Sequence, residues 1–182
     1  MLTSKALFRK SLCRFPLTAE ATECLHRMLF DLDVWKNAQS VFIYVSVTPE
    51  PDTRRVIDTA LKDGKRVAIP KTYQDGSMRA LLIDSLTGLN IAPYGIPEPP
   101  DYASELLNPD LVIIPCLACD EDGNRIGHGA GYYDRYLAQV KCPCVCLCPE
   151  SALFKTVPHD DLDIKPDIIL SERRLIRIEK SI

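Results

Sequence analysis

The stretch LVIIPCLACDEDGNRIGHGAGYYDRYL, residues 111–137, decides the fold. LVIIPC, Leu111 to Cys116, is a short apolar run that reads as a buried strand. YYDRYLAQV, from Tyr132, sets Tyr133, Tyr136, Leu137 and Val140 at the i, i+3, i+4, i+7 spacing of a short helix. Between them stand four of the chain's eight glycines: Gly123, Gly127, Gly129 and Gly131. Gly127, Gly129 and Gly131 alternate with Ile126, His128, Ala130 and Tyr132, so the backbone can bend sharply and approach a ligand with no Cβ in the way. Strand, glycine loop and helix together are a common way to build an anion site. Free N–H groups of the loop and first helical turn point at a phosphate, and the helix dipole assists. Arg125 adds a cation, and Asp134 adds a carboxylate able to hold a magnesium ion beside that phosphate. The spacing matches neither GxxxxGK[ST] nor GxGxxG. Taken alone, the loop is also compatible with a tight turn that needs positive φ.

A chain of 182 residues suits one domain, residues 1–182, with a substantial core. A net charge of −3 without a Lys/Arg-rich run argues against a nucleic-acid partner. No apolar run approaches the ~20 residues needed to span a bilayer, so no membrane partner is expected. The basic N-terminal residues Lys5, Arg9, Lys10 and Arg14 superficially suit an organellar presequence. Eight cysteines are many for this length. Cys142, Cys144, Cys146 and Cys148 alternate along one face of a strand, about 7 Å apart, too far for neighbours to share one zinc ion. Buried apolar thiols are the expectation. A zinc site joining Cys116, Cys119, His128 and one later cysteine stays open.

Along the chain, residues 3–15 form a short basic helix capped by Thr3 or Ser4 and ended by Pro16. Leu17 to Lys36 reads as one helix capped by Thr18, with Leu25, Met28, Leu29, Leu32 and Trp35 as its apolar stripe. Ser40 to Val47 is a buried strand, Thr53 to Lys62 a helix, and KRVAIPK, residues 65–71, a second strand. Met78 to Asp84 is a further strand, and NIAPYGIPEPPDYAS, residues 90–104, an ordered loop. CPCVCLC and DIILSE, the latter starting at Asp167, complete the strands. Alternating strands and helices predict an α/β fold, a mostly parallel, doubly wound sheet flanked by helices. In such a sheet the loops TPEPDT, PCLACDEDGNRIGHGAG and VPHDDLD should meet at one edge.

The central segment resembles the signature of the 5-formyltetrahydrofolate cyclo-ligase (methenyltetrahydrofolate synthetase) family, P-G-L-A-F-D followed by G-x-R-L-G-x-G-x-G-Y-Y-D. YVSVTPEPDT, KRVAIPK, YGIPEPP and VPHDDLDIKPD resemble further family motifs in the same order. Cys116 and Cys119 stand where that signature has Gly and Phe. The resemblance implies a sheet like that of the sugar-phosphate isomerases and CoA-transferases. It also implies an ATP- and Mg²⁺-dependent ligase that closes 5-formyltetrahydrofolate to 5,10-methenyltetrahydrofolate through phosphorylation of the formyl oxygen.

By the same resemblance, Lys5 and Arg9 hold ATP phosphates, which makes the N-terminal helix part of the site and not a presequence. Arg125, Ile126, Gly127, His128, Gly129, Ala130, Gly131, Tyr132 and Tyr133 form the triphosphate cradle. Arg125, Tyr133 and Asp134 are the implied catalytic residues, and Asp134 and Asp163 the metal carboxylates. Glu50, Asp52 and Tyr132 would take the folate. The expected protein is a cytoplasmic monomer acting on a small-molecule folate, polyglutamylated forms included. Two rivals stay open: an isomerase-like enzyme without ATP dependence, and a regulator that binds both ligands without turnover.

Overall fold

Residues 4–92 and 95–179 are described by the computed structural model. Thr3, offered as a helix cap, and Tyr94 of the YGIPEPP motif lie outside them. Five strands run parallel as neighbours: β2 (Arg66–Thr72), β1 (Ser40–Ile43), β6 (Leu111–Pro115), β9 (Cys144–Leu147) and β11 (Ile168–Leu170). Antiparallel strands β3 (Met78–Ile83) and β12 (Leu175–Arg177) close the two edges. This is the mostly parallel, helix-flanked sheet that the alternation of elements predicts.

Period-two alternation explains how the sheet is covered. Val41, Ile43, Ile113, Val145 and Leu147 point to one face, where they pack against Leu25 and Leu29 of α2 (Ala19–Asp31), Trp35 of α3 (Asp33–Asn37) and Ile57 of α4 (Arg54–Lys62). Phe42, Val112, Ile114, Cys144 and Cys146 point to the other, against Tyr136 and Leu137 of α5 (Tyr132–Leu137). Strands buried on both faces have no polar side to show, which is why they read as continuous apolar runs.

Several expected boundaries differ. The helix expected over Leu17 to Lys36 is broken at Leu32, whose extended backbone (φ −65, ψ 135) ends α2 and starts α3. Leu32 is buried, so the break turns the apolar stripe onto the sheet and leaves Met28 only half-buried. Thr18 caps α2 as expected, accepting a hydrogen bond from the Ala21 N–H at 3.2 Å. β1 stops at Ile43, because the chain from Tyr44 onward turns into a braced loop. α5 ends at Leu137 and does not reach Val140. The proline-rich loop carries a small hairpin of β4 (Asn90–Ile91) and β5 (Pro97–Glu98). A second sheet, β10 (Leu153–Phe154), β7 (Ala118–Asp120) and β8 (Arg125–Ile126), is made of strands too short to show a period. DIILSE is not the last strand, since the chain turns back into β12. α1 (Ser4–Ser11) buries no residue fully and lies against Ile126 and Val157 through Phe8.

Candidate active site

From β1 the chain builds outward to β2 and β3, then returns to β6 on the other side of β1 and builds to β9, β11 and β12. The reversal leaves a crevice at the carboxyl ends of β1 and β6, the usual ligand position in an open α/β sheet. The loop after β1 carries Glu50 and Asp52, and the segment after β6 carries Arg125 and the glycine loop.

The first loop is braced from within. Thr53 Oγ1 donates to the Tyr44 carbonyl at 2.7 Å and accepts from the Ser46 N–H at 3.0 Å, while Tyr44 donates its hydroxyl to the Pro51 carbonyl at 2.9 Å. Glu50 is held by this frame with its side chain only 5% exposed. Its Oε2 accepts from the Val47 N–H at 2.9 Å, and its Oε1 lies 3.1 Å from Nε2 of His128. Asp52 stands at the start of α4, where Oδ1 accepts from the Arg54 N–H at 3.1 Å.

The glycine loop is shaped by arginines. Arg125, whose side chain is 5% exposed, donates from Nη2 to Asp134 Oδ1 at 2.9 Å and from Nη1 to the Pro115 carbonyl at 3.3 Å. Burial works against its charge, but Asp134 and the nearby sulfurs of Cys146, Cys119 and Cys116 together offset this and the guanidinium pKa is raised. Arg9 of α1 donates from Nε to the Gly127 carbonyl at 2.6 Å. Its guanidinium covers Gly129, where a Cβ would come within 3.1 Å of it on a backbone already at φ +100. Arg135 covers Gly131 in the same way and bonds the Gly76 and Ala130 carbonyls at 2.7 and 2.8 Å. Tyr132 lies under the Arg135 guanidinium, 5.4 Å from the ring centroid. Tyr133 packs on Phe42, and burial, then the charge of Glu50, pushes its phenol pKa up.

The third wall is the segment after Val157. Lys5 Nζ lies 2.6 and 2.5 Å from the two oxygens of Asp163 and 2.7 Å from Asp160. Burial opposes this ammonium, yet the two carboxylates outweigh it and raise its pKa. Asp134 Oδ1 also accepts from the Ile164 N–H at 3.2 Å, which joins α5 to the acidic segment.

The three loops therefore meet at one edge. Lys5 pairs with Asp163, Arg125 with Asp134 and Glu50 with His128, and Arg9 bonds the Gly127 carbonyl, whereas Asp52 faces the start of α4. A cleft beside Glu50 is lined by Leu12, Cys13, Phe15, Pro49, Cys116 and Phe154. Sequence reasoning missed Asp160 as a second partner of Lys5, and Arg135 as the cover of Gly131. It also missed Asp120, which is fully buried and accepts from the Asn124 and Val157 N–H groups. Arg135 had a readable signal, its i+4 spacing from Gly131. Asp120 and Asp160 had none, because their partners are remote or sit among other acids.

A family model, the 5-formyltetrahydrofolate cyclo-ligase family, matches residues 5–172. The chain belongs to that family. Among its relatives, the mouse (Mus musculus) 5-formyltetrahydrofolate cyclo-ligase is 31% identical over 153 residues, covering 76% of this chain and 75% of the mouse protein. A probable 5-formyltetrahydrofolate cyclo-ligase of Schizosaccharomyces pombe is 29% identical over 170 residues, 83% of each chain. The NMR structure of Aquifex aeolicus 5,10-methenyltetrahydrofolate synthetase superposes with a TM-score of 0.85 at 27% identity, covering 98% of this chain and 95% of that one. The cyclo-ligase family match runs from Lys5, the first residue of the crevice, past Asp163, the last. Among the described residues no helix is long and apolar enough to cross a membrane.

Proposed function

We propose that the chain catalyses the ATP- and Mg²⁺-dependent closure of 5-formyltetrahydrofolate to 5,10-methenyltetrahydrofolate, with release of ADP and phosphate. The observation that carries this reading is the 3.1 Å contact between His128 and Glu50. It brings the glycine loop and a buried carboxylate to facing sides of one crevice, which supports transfer of a phosphoryl group from ATP on one side to a folate on the other. The names of the relatives support the same chemistry.

In this reading Arg9, Arg125 and Lys5 bind the triphosphate, and the N–H groups of Gly127 to Tyr133 line its other side. Glu50 accepts two hydrogen bonds from the N–C–N edge of the pterin, which enters the cleft beside it, and Asp52 holds the loop by anchoring the start of α4. Tyr132 and Tyr133 flank the junction. The formyl oxygen takes the terminal phosphoryl group, forming its O–P bond as the bond to ADP breaks. N10 then attacks the formyl carbon and loses its proton, the C–O bond breaks, and phosphate leaves. Positioning and charge neutralisation suffice for these steps, and no protein nucleophile is needed.

The residues present fit a magnesium ion. Asp134 commits Oδ1 to Arg125 and the Ile164 N–H, while Oδ2 makes no hydrogen bond among the described residues. Asp134, with Asp163, would hold the ion, which supplies charge neutralisation at the phosphates. Arg125 fixes the Asp134 carboxylate, and Lys5 fixes that of Asp163.

The deciding experiment follows the near-ultraviolet appearance of methenyl-folate from 5-formyltetrahydrofolate and Mg·ATP. Product that requires ATP and falls at least a hundredfold in Asp134→Asn is expected. Binding of both ligands without product would leave a regulator instead, and no binding would remove the reading.

A further inference from the structure

Three buried cysteines left unused by this chemistry are gathered in one place. Cys116 follows β6 and Cys148 follows β9, one step beyond the paired residues Pro115 and Leu147, on the face that carries Ile114 and Cys146. Cys119, in β7, folds back over that face, and its Sγ lies 3.6 Å from Sγ of Cys146. The sulfurs of Cys116, Cys119 and Cys146 all lie within 4.8 Å of one another, and all three residues are buried. We propose that Cys116, Cys119 and Cys146 form a buried thiolate site for a zinc ion.

The distances suit this ligation. Zinc–sulfur bonds of about 2.3 Å in a tetrahedron put neighbouring sulfurs about 3.8 Å apart, close to the separation of Cys119 and Cys146. The combination with His128 suggested by spacing is not the one formed, because that ring is turned to Glu50. No disulfide is present to compete, since all eight cysteines are free.

A neighbouring guanidinium points the same way. Arg125 feels all three sulfurs, and its buried Nε has no hydrogen-bond partner among the described residues. A buried guanidinium N–H without an acceptor is costly beside neutral thiols. It is matched by a zinc–thiolate centre: three thiols lose their protons to solvent, bind one Zn²⁺, and leave one net negative charge beside it. A route in exists, because Cys116 lies on the wall of the cleft that also contains Cys13. Bound metal would tie the β6–β7 turn to β9 beneath the glycine loop, acting on stability and not on the transferred phosphate.

The test uses the full-length reduced protein, freed of metal with a chelator and titrated with Co²⁺ and then Zn²⁺. About one Co²⁺ per chain should bind with intense sulfur-to-cobalt charge-transfer absorption in the near ultraviolet, and Zn²⁺ should abolish the band. The band should be lost in Cys119→Ala and in Cys146→Ala and kept in Cys24→Ala. Saturating zinc should raise the melting temperature of the wild-type protein by about 5–10 °C. Absence of the band in wild-type protein whose thiols all react on denaturation would overturn the proposal. So would a band that survives both core variants. Because absorption and stoichiometry are read on the wild type, a variant that fails to fold does not blur the result.

Discussion

Lys5 Nζ sits between both carboxylate oxygens of Asp163, at 2.6 and 2.5 Å, and so fastens the first helix of the chain to a segment 158 residues away. The pair is largely covered, with side-chain exposures of 16% and 18%. Substituting Lys5→Ala should raise KM for ATP about tenfold while changing kcat less, because it removes binding charge and leaves the folate wall intact. Initial rates at varied ATP check this. An unchanged KM would mean that Lys5 only secures the helix.

Gly129→Ala should lose about 1–2 kcal/mol of stability, since an alanine resists a backbone at φ +100. Its Cβ would also displace the Arg9 guanidinium, so kcat/KM should fall about tenfold or more. Gly64→Ala is the matched control. That residue has φ +76 but nothing among the described residues within 4 Å of the added carbon, so it should lose stability and keep its activity. Urea melts and steady-state rates on both variants separate strain from function.

Asp134→Asn should destabilise the fold as well as the reaction. It leaves the buried Arg125 guanidinium without its counter-charge, at a cost of about 3 kcal/mol, or roughly 6–12 °C in melting temperature. Pairing it with Arg125→Met removes both charges and should recover part of the loss. Calorimetry on the single and double variants measures the coupling, and a double variant less stable than Asp134→Asn would refute it.

Asp110 predicts an acid limb. Its carboxylate accepts from Ser40 Oγ and from the Ser40 and Gln39 N–H groups at 2.8, 2.8 and 3.0 Å. The Ser40 side-chain bond chiefly holds its pKa below the ordinary 3.8. A depressed folded pKa gives stability that is complete above the unfolded value and lost as pH falls through the folded one. Asp110→Asn should therefore flatten the fall in melting temperature below about pH 4 and lower it by about 1–3 °C at pH 7, because the group is exposed. Melting curves at pH 2.5 to 7 check both.

The parallel sheet was legible because β1, β6 and β9 are buried on both faces and read as unbroken apolar runs. Gly127, Gly129 and Gly131 were legible for a different reason, since few other demands on a chain place glycine at every second residue. The break at Leu32 was hidden, because a leucine gives no local sign of the extended backbone it adopts. β7, β8 and β10 were hidden by length, three residues or fewer showing no period. The approach of Cys119 to Cys146 and of Lys5 to Asp163 depends on which elements become neighbours, and spacing along the chain does not report that. Family resemblance supplied a role for Lys5 that its residue pattern, a basic helix face, did not.

The glycine loop takes its shape from its arginine cover. Its three covering side chains come from residues 9, 125 and 135, so the shape belongs to two separate regions of the chain. A segment transplanted as residues 123–137 would bring Arg125 and Arg135 along but leave Arg9 behind, and Gly129 would lose the guanidinium nearest to it. Trimming the first dozen residues does the same damage from the other end. The N-terminal helix and the central loop are one functional part, written in two places.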